Sequence, residues 1–116
     1  MKRKVAVVED DEDIREMVEF VLTEADFEVV GYNGAEAFWN GLGMDKPDLI
    51  LLDIMLHDGN GLDICKELHS ARHTVDIPVI IISAVHDHVD ACADAEFVRK
   101  PFNIDDLISR VRRRIA

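Results

Sequence analysis

Hydrophobic residues fall into short solid runs and longer spaced series that alternate along the chain. Val5-Ala6-Val7-Val8 is a largely β-branched run that stops at acidic residues, the mark of a strand buried on both faces. Ile14, Met17, Val18, Val21 and Leu22 then recur at helical spacing and predict a helix from Asp13 to about Ala25, begun by Asp11 or Glu12. Phe27 to Val30 predicts a second strand, broken by Gly31, and Ala35, Phe38, Trp39 and Leu42 mark one face of a second helix closed by Gly41 and Gly43. Leu49-Ile50-Leu51-Leu52 predicts a third strand that ends abruptly at Asp53. The turn-forming stretch Leu56-His57-Asp58-Gly59-Asn60-Gly61 leads into a third helix carrying Leu62, Ile64, Cys65 and Leu68. Pro78 to Ile82 predicts a fourth strand closed by Ser83, followed by a short helix from about His86 to Ala93. A fifth strand over Glu96 to Val98 and a last helix from Asn103 to Ile115, with Leu107, Ile108 and Val111 inward, complete the pattern.

Strands that alternate with helices, and whose inner runs are wholly apolar, imply an α/β fold with a parallel sheet covered on both faces, because each right-handed crossover needs its own helix. The 116 residues suit one domain, residues 1–116, with 48% hydrophobic and 32% charged residues, the balance of a folded chain. The longest apolar stretch, Pro78 to Val85, is far short of the roughly 20 residues that cross a bilayer, so no membrane partner is expected. Met1-Lys2-Arg3-Lys4 runs straight into a strand without an apolar leader, which predicts a cytoplasmic protein. A formal net charge of -11 argues against direct nucleic-acid binding. The arginines from Arg110 to Arg114 are read as favouring the negative end of the last helix. Cys65 and Cys92 lack zinc or redox spacing and are expected to be reduced, partly buried thiols. His57, His69, His73, His86 and His88 do not build one tetrahedral site and are expected at the surface.

The chemistry gathers at one edge. In an open parallel sheet, ligands bind beyond the carboxyl ends of the strands. Glu9 and Asp10 follow the first strand, Asp53 the third, Ser83 the fourth and Lys100 the fifth, so distant residues converge. Three carboxylates brought close repel one another unless a cation neutralises them, and an oxygen-only ligand set suits Mg2+. Taken singly, Asp11 is a helix cap, Ser83 a strand-end hydroxyl and Lys100 a surface lysine; the constellation is what raises them.

Four segments in this order resemble the receiver domains of bacterial two-component response regulators over the whole chain: Val8-Glu9-Asp10-Asp11, Leu51-Leu52-Asp53-Ile54-Met55-Leu56, Ser83-Ala84 and Arg99-Lys100-Pro101-Phe102. The resemblance implies a flavodoxin-like, doubly wound five-stranded sheet of order 2-1-3-4-5. It implies that Asp53 takes a phosphoryl group from a sensor histidine kinase or histidine phosphotransfer protein, as a signalling switch rather than a classical enzyme. Asp10, Asp53 and the Met55 carbonyl would hold Mg2+, with Glu9 acting mainly through water. Lys100 and Ser83 would bind the phosphoryl oxygens, Ser83 and Phe97 would relay the switch, and the peptide before Pro101 would be cis. The downstream protein is not named by the sequence, and a monomer or weak homodimer is expected. As a stand-alone receiver, the domain would respond through a non-covalent partner or onward phosphotransfer.

Two departures from the family pattern bear on this. His57 stands where the family usually has proline, which predicts a looser loop after Asp53. Only thirteen residues, 83–95, serve the last crossover, which predicts a shortened fourth helix and an altered partner surface. Met55 and Val85, expected beside the attacking water, are apolar, which predicts slow self-dephosphorylation. The alternative reading is a pseudo-receiver, an interaction module that is not phosphorylated. An aspartate-nucleophile phosphatase would need a second aspartate where Met55 stands.

Overall fold

The computed structural model describes residues 2–84, 92 and 95–115. Its elements are β1 (Lys4–Val8), α1 (Glu12–Glu24), β2 (Glu28–Tyr32), α2 (Ala35–Leu42), β3 (Leu49–Asp53), β4 (Met55–Leu56), β5 (Gly59–Asn60), α3 (Gly61–Ser70), β6 (Val79–Ser83), β7 (Glu96–Arg99) and α4 (Ile104–Ile115). The main sheet has five parallel strands in the order β2-β1-β3-β6-β7. With the two-residue strands β4 and β5 set apart as their own antiparallel pair, this is the expected order 2-1-3-4-5. The predicted fourth helix, from about His86 to Ala93 and with His88 in it, lies outside the described residues apart from Cys92, as does Val85 before it.

Side chains alternate across a strand, so each solid apolar run divides between two cores. Val5, Val7, Leu49, Leu51, Ile80 and Ile82 face Val18 and Leu22 of α1 and Leu107 and Val111 of α4. Ala6, Val8, Ile50, Leu52, Val79 and Ile81 face Phe38 of α2 and Ile64, Cys65 and Leu68 of α3. Every residue of β3 and β6 is buried, as strands covered on both faces require.

Three expectations need correction. Gly31 does not end the second strand: β2 continues through it to Tyr32, with Gly31 registered against Val7 and Tyr32 against Val8. A Cβ at Gly31 would meet the carboxylate end of the Glu19 side chain, so the space beside this glycine is taken by a side chain of α1 and not by a turn. The loop after Asp53 is not loose. It is pinned by the β4–β5 pair, by the Gly61 N–H donating to Ile54 O at 2.8 Å, and by Asp58, whose carboxylate accepts from the Ala35 and Glu36 amides at 2.7 and 3.0 Å. Finally, Cys65 and Cys92 are not separate reduced thiols but a buried disulfide, and His69 is half-buried against both sulfurs rather than at the surface. Sequence spacing could not reveal this pairing, because it joins α3 to the chain entering β7 across 27 residues.

Candidate functional site

β1 delivers Glu9 and Asp10 just past its carboxyl end, and β3 delivers Asp53 as its last residue. Parallel pairing of these two strands sets Val8 beside Leu52, so the acidic residues that follow emerge side by side. Carboxylate oxygens of Glu9, Asp10 and Asp53 all lie within 4.8 Å of one another. Glu9 and Asp53 are buried, while the Asp10 side chain remains about 30% exposed.

Lys100, one residue beyond β7, reaches over this group. Its Nζ lies 2.8 Å from Glu9 Oε1 and 3.4 Å from Asp53 Oδ2. The Lys100 N–H donates to Ser83 O at 2.9 Å, which ties the ends of β6 and β7 together and fixes where the lysine starts. The Lys100–Pro101 peptide is cis, as the resemblance implied. Ser83 ends β6 with its side chain buried. Phe97 stands in mid-strand on β7, half-buried against the core shared by α2 and α3. Met55, in β4, exposes its side chain.

The electrostatics follow from the burial. Burial raises the Glu9 carboxyl above the usual carboxylate range, while the Lys100 hydrogen bond and the Asp11 amide, at 3.2 Å from Oε2, pull it back in part. Burial lowers the Lys100 ammonium, but its bonds to Glu9 and Asp53 outweigh that, and the net shift is upward. Among the described residues one ammonium thus pairs with two of the three carboxylates, Glu9 and Asp53, and the oxygen-only set retains excess negative charge at a part-open edge. These residues fit a hard divalent cation.

Several supports were not legible as site residues. Arg15 donates to the Glu9 carbonyl at 3.0 Å, and His57 Nδ1 lies 4.0 Å from Asp10 Oδ2. Gly61 begins α3 so close beneath β3 that a Cβ there would meet the Asp53 carbonyl oxygen. A glycine opening a helix after a turn could have hinted at such an approach; nothing in the sequence said which strand it would press on. Asp11 is the α1 cap, its side chain accepting from the Ile14 amide at 3.0 Å.

A family model described as the response regulator receiver domain matches residues 5–112. The chain belongs to that family. The phosphate regulon transcriptional regulatory protein PhoB of Escherichia coli (strain K12) is 38% identical over 117 residues, covering 97% of this chain and 51% of PhoB. The receiver chain therefore spans about half the length of the curated relatives it matches. A putative response regulator from Chloroflexus aurantiacus J-10-fl superposes with a TM-score of 0.89 at 26% identity, covering 97% of each chain. The chemotaxis response regulator CheY4 of Vibrio cholerae reaches a TM-score of 0.90 at 21% identity, covering 99% of this chain and all of that one, and shares the fold. The receiver fold thus places the acidic trio and the lysine on one edge of a sheet common to signalling switches.

Proposed function

We propose that this receiver domain is a phospho-accepting switch in a two-component phosphorelay, with Asp53 as the acceptor. The observation behind this reading is the Lys100 ammonium 3.4 Å from a buried Asp53 carboxylate, with Glu9 and Asp10 alongside. A carboxylate oxygen of Asp53 attacks the phosphorus of a phosphohistidine on a sensor kinase or phosphotransfer protein. The P–N bond to the imidazole breaks, the acyl phosphate forms, and the imidazole leaves with the electron pair.

Asp10, Asp53 and the Met55 carbonyl would hold Mg2+, with Glu9 in support through water; the ion supplies charge neutralisation at the phosphoryl oxygens. Lys100 moves from its pairing with Glu9 and Asp53 to a phosphoryl oxygen, and Ser83 binds another. Because Ser83 O and Lys100 N share a backbone hydrogen bond, a shift at either strand end passes to β7 and to Phe97. Phe97 is the relay to the partner surface. The setting proposed is cytoplasmic, as a monomer or weak homodimer with an unnamed downstream protein.

Incubation with acetyl phosphate tests this by intact mass. Gain of one phosphoryl group with Mg2+, lost without the ion and in Asp53→Asn, is the expected result. An unchanged mass in the presence of Mg2+ would support the pseudo-receiver reading instead.

A further inference from the structure

On the α2–α3 side of the sheet, away from the acidic edge, a second cluster of reactive groups goes unused by phosphoryl chemistry. Cys65 of α3 and Cys92 of the chain entering β7 have Cα atoms 6.1 Å apart and bonded sulfurs. Cys65 is completely buried and Cys92 nearly so, at 7% exposure. His69, one turn after Cys65, sets Nδ1 at 3.2 Å from Cys92 Sγ and 3.7 Å from Cys65 Sγ. The same nitrogen lies 3.0 Å from the Cys65 carbonyl oxygen. That oxygen can only accept, so Nδ1 is assigned the proton there, and its N–H also faces the sulfurs. With its proton on Nδ1, His69 is a donor toward sulfur, and a metal ion would have to displace that proton and open the disulfide to use the same three residues. His69 also lines a surface cavity of about 370 Å³ with Asp76, Pro78 and Arg114, which gives the histidine a side toward solvent, and Cys92 keeps 7% exposure of its own.

We propose that Cys65 and Cys92 are a redox site, opened and closed by thiol–disulfide exchange, in which His69 stabilises the Cys92 thiolate. A small disulfide is the oxidant. The Cys92 thiolate attacks one of its sulfurs, forming a mixed disulfide and releasing one thiolate. Cys65, its proton given up to solvent, then attacks the Cys92 sulfur, forms the Cys65–Cys92 bond and releases the second thiolate. Two protein thiols are oxidised by two electrons, and the reagent is reduced to two thiols that take up the two protons. A dithiol reverses each step.

Closure staples α3 to the segment that runs into β7. Both cysteines belong to the core against which Phe97 packs, and Lys100 follows at the end of β7. The redox state therefore sets how freely β7 answers events at Asp53. This consequence rests on the phospho-acceptor reading; the thiol chemistry does not.

The full chain, reduced and then equilibrated with oxidised glutathione, is assayed by alkylation with iodoacetamide after denaturation and by intact mass. The oxidised form is expected to take up no label and the reduced form two. Cys65→Ser is expected to accumulate a glutathione adduct on Cys92. In reduced native protein, His69→Asn is expected to slow Cys92 alkylation at neutral pH about tenfold. Simple loss of packing would expose the thiol and speed the reaction, and that result overturns the role of His69. Two labelled thiols after oxidation, or one Zn2+ retained per reduced chain with both thiols protected, overturns the redox site. A second arm compares acetyl phosphate labelling of the oxidised and reduced forms, with a rate difference of at least threefold expected. Equal rates overturn the coupling. Absence of labelling in both forms, with the first arm positive, overturns the acceptor reading and leaves the redox site standing.

Discussion

Lys100 is the one described cation within bonding distance of the buried acidic pair, contacting both Glu9 and Asp53. Removing one partner of a buried ionic cluster leaves the others uncompensated. Lys100→Met is expected to cost about 3 kcal/mol of stability at neutral pH without divalent ions, measured by urea unfolding, with part recovered on adding Mg2+. Glu9 gives a pH signature. Its folded-state value is raised above the ordinary 4.5, chiefly by burial, so the folded protein holds this proton more tightly than the unfolded chain. The contribution is fully present below pH 4.5 and is lost as pH rises through the raised value. Without metal, the stability of Glu9→Gln relative to the unsubstituted protein should therefore increase with pH above 4.5, as read from thermal unfolding across a pH series. A difference that stays flat or falls would contradict this. Glu9 and Asp53 were legible in the sequence because each directly follows an apolar run, whereas Lys100, which follows Arg99, was raised only by the constellation and the family resemblance. His57, Arg15 and Gly61 were not, because their roles depend on which neighbours the fold brings up.

At the scale of elements, α2 shows how far a local signal reaches. Its boundaries followed from the spacing of Ala35, Phe38, Trp39 and Leu42, yet its own cap position is Gly34, which offers no side chain. The cap comes from Asp58, more than twenty residues later, whose carboxylate is held below the usual range by the Glu36 and Ala35 amides. Asp58→Ala is expected to speed amide exchange in the first turn of α2 and to lower the melting temperature, while α1, which carries its own cap at Asp11, keeps its protection. Equal exchange in the first turn would show that Asp58 does not cap α2. The strand β2 was misread at its end for the converse reason. Gly31 is a turn signal in isolation, but pairing with β1 keeps it in the sheet, where its lack of a side chain leaves room for the Glu19 carboxylate.

For the whole molecule, the sheet divides the labour between its faces and its edge. The two cores hold five strands in register, and the edge collects charge that neither core could bury. Met55 follows β3 at that edge with an exposed apolar side chain, which on the phospho-acceptor reading would leave the attacking water without a polar group there. Once formed, the acyl phosphate is expected to persist for minutes or longer, and Met55→Asn to shorten it, as followed by phosphate release. A lifetime of seconds in the unsubstituted protein would refute this. The other residue expected at the water, Val85, lies outside the described residues.

By itself, the sequence determined the alternation of strands and helices, the parallel sheet, and the gathering of Glu9, Asp10, Asp53, Ser83 and Lys100 at one edge. The alternation and the acidic strand ends follow from periodicity and from where apolar runs stop, both local properties of the chain, while Ser83 and Lys100 joined them through the constellation and the family resemblance. Tertiary structure alone decided the partners: Cys65 with Cys92 and His69, Asp58 with α2, Gly61 beneath Asp53, and Lys100 nearer to Glu9 than to Asp53. Such contacts join residues whose separation along the chain carries no signal, because only packing two faces against one sheet fixes the distance between them.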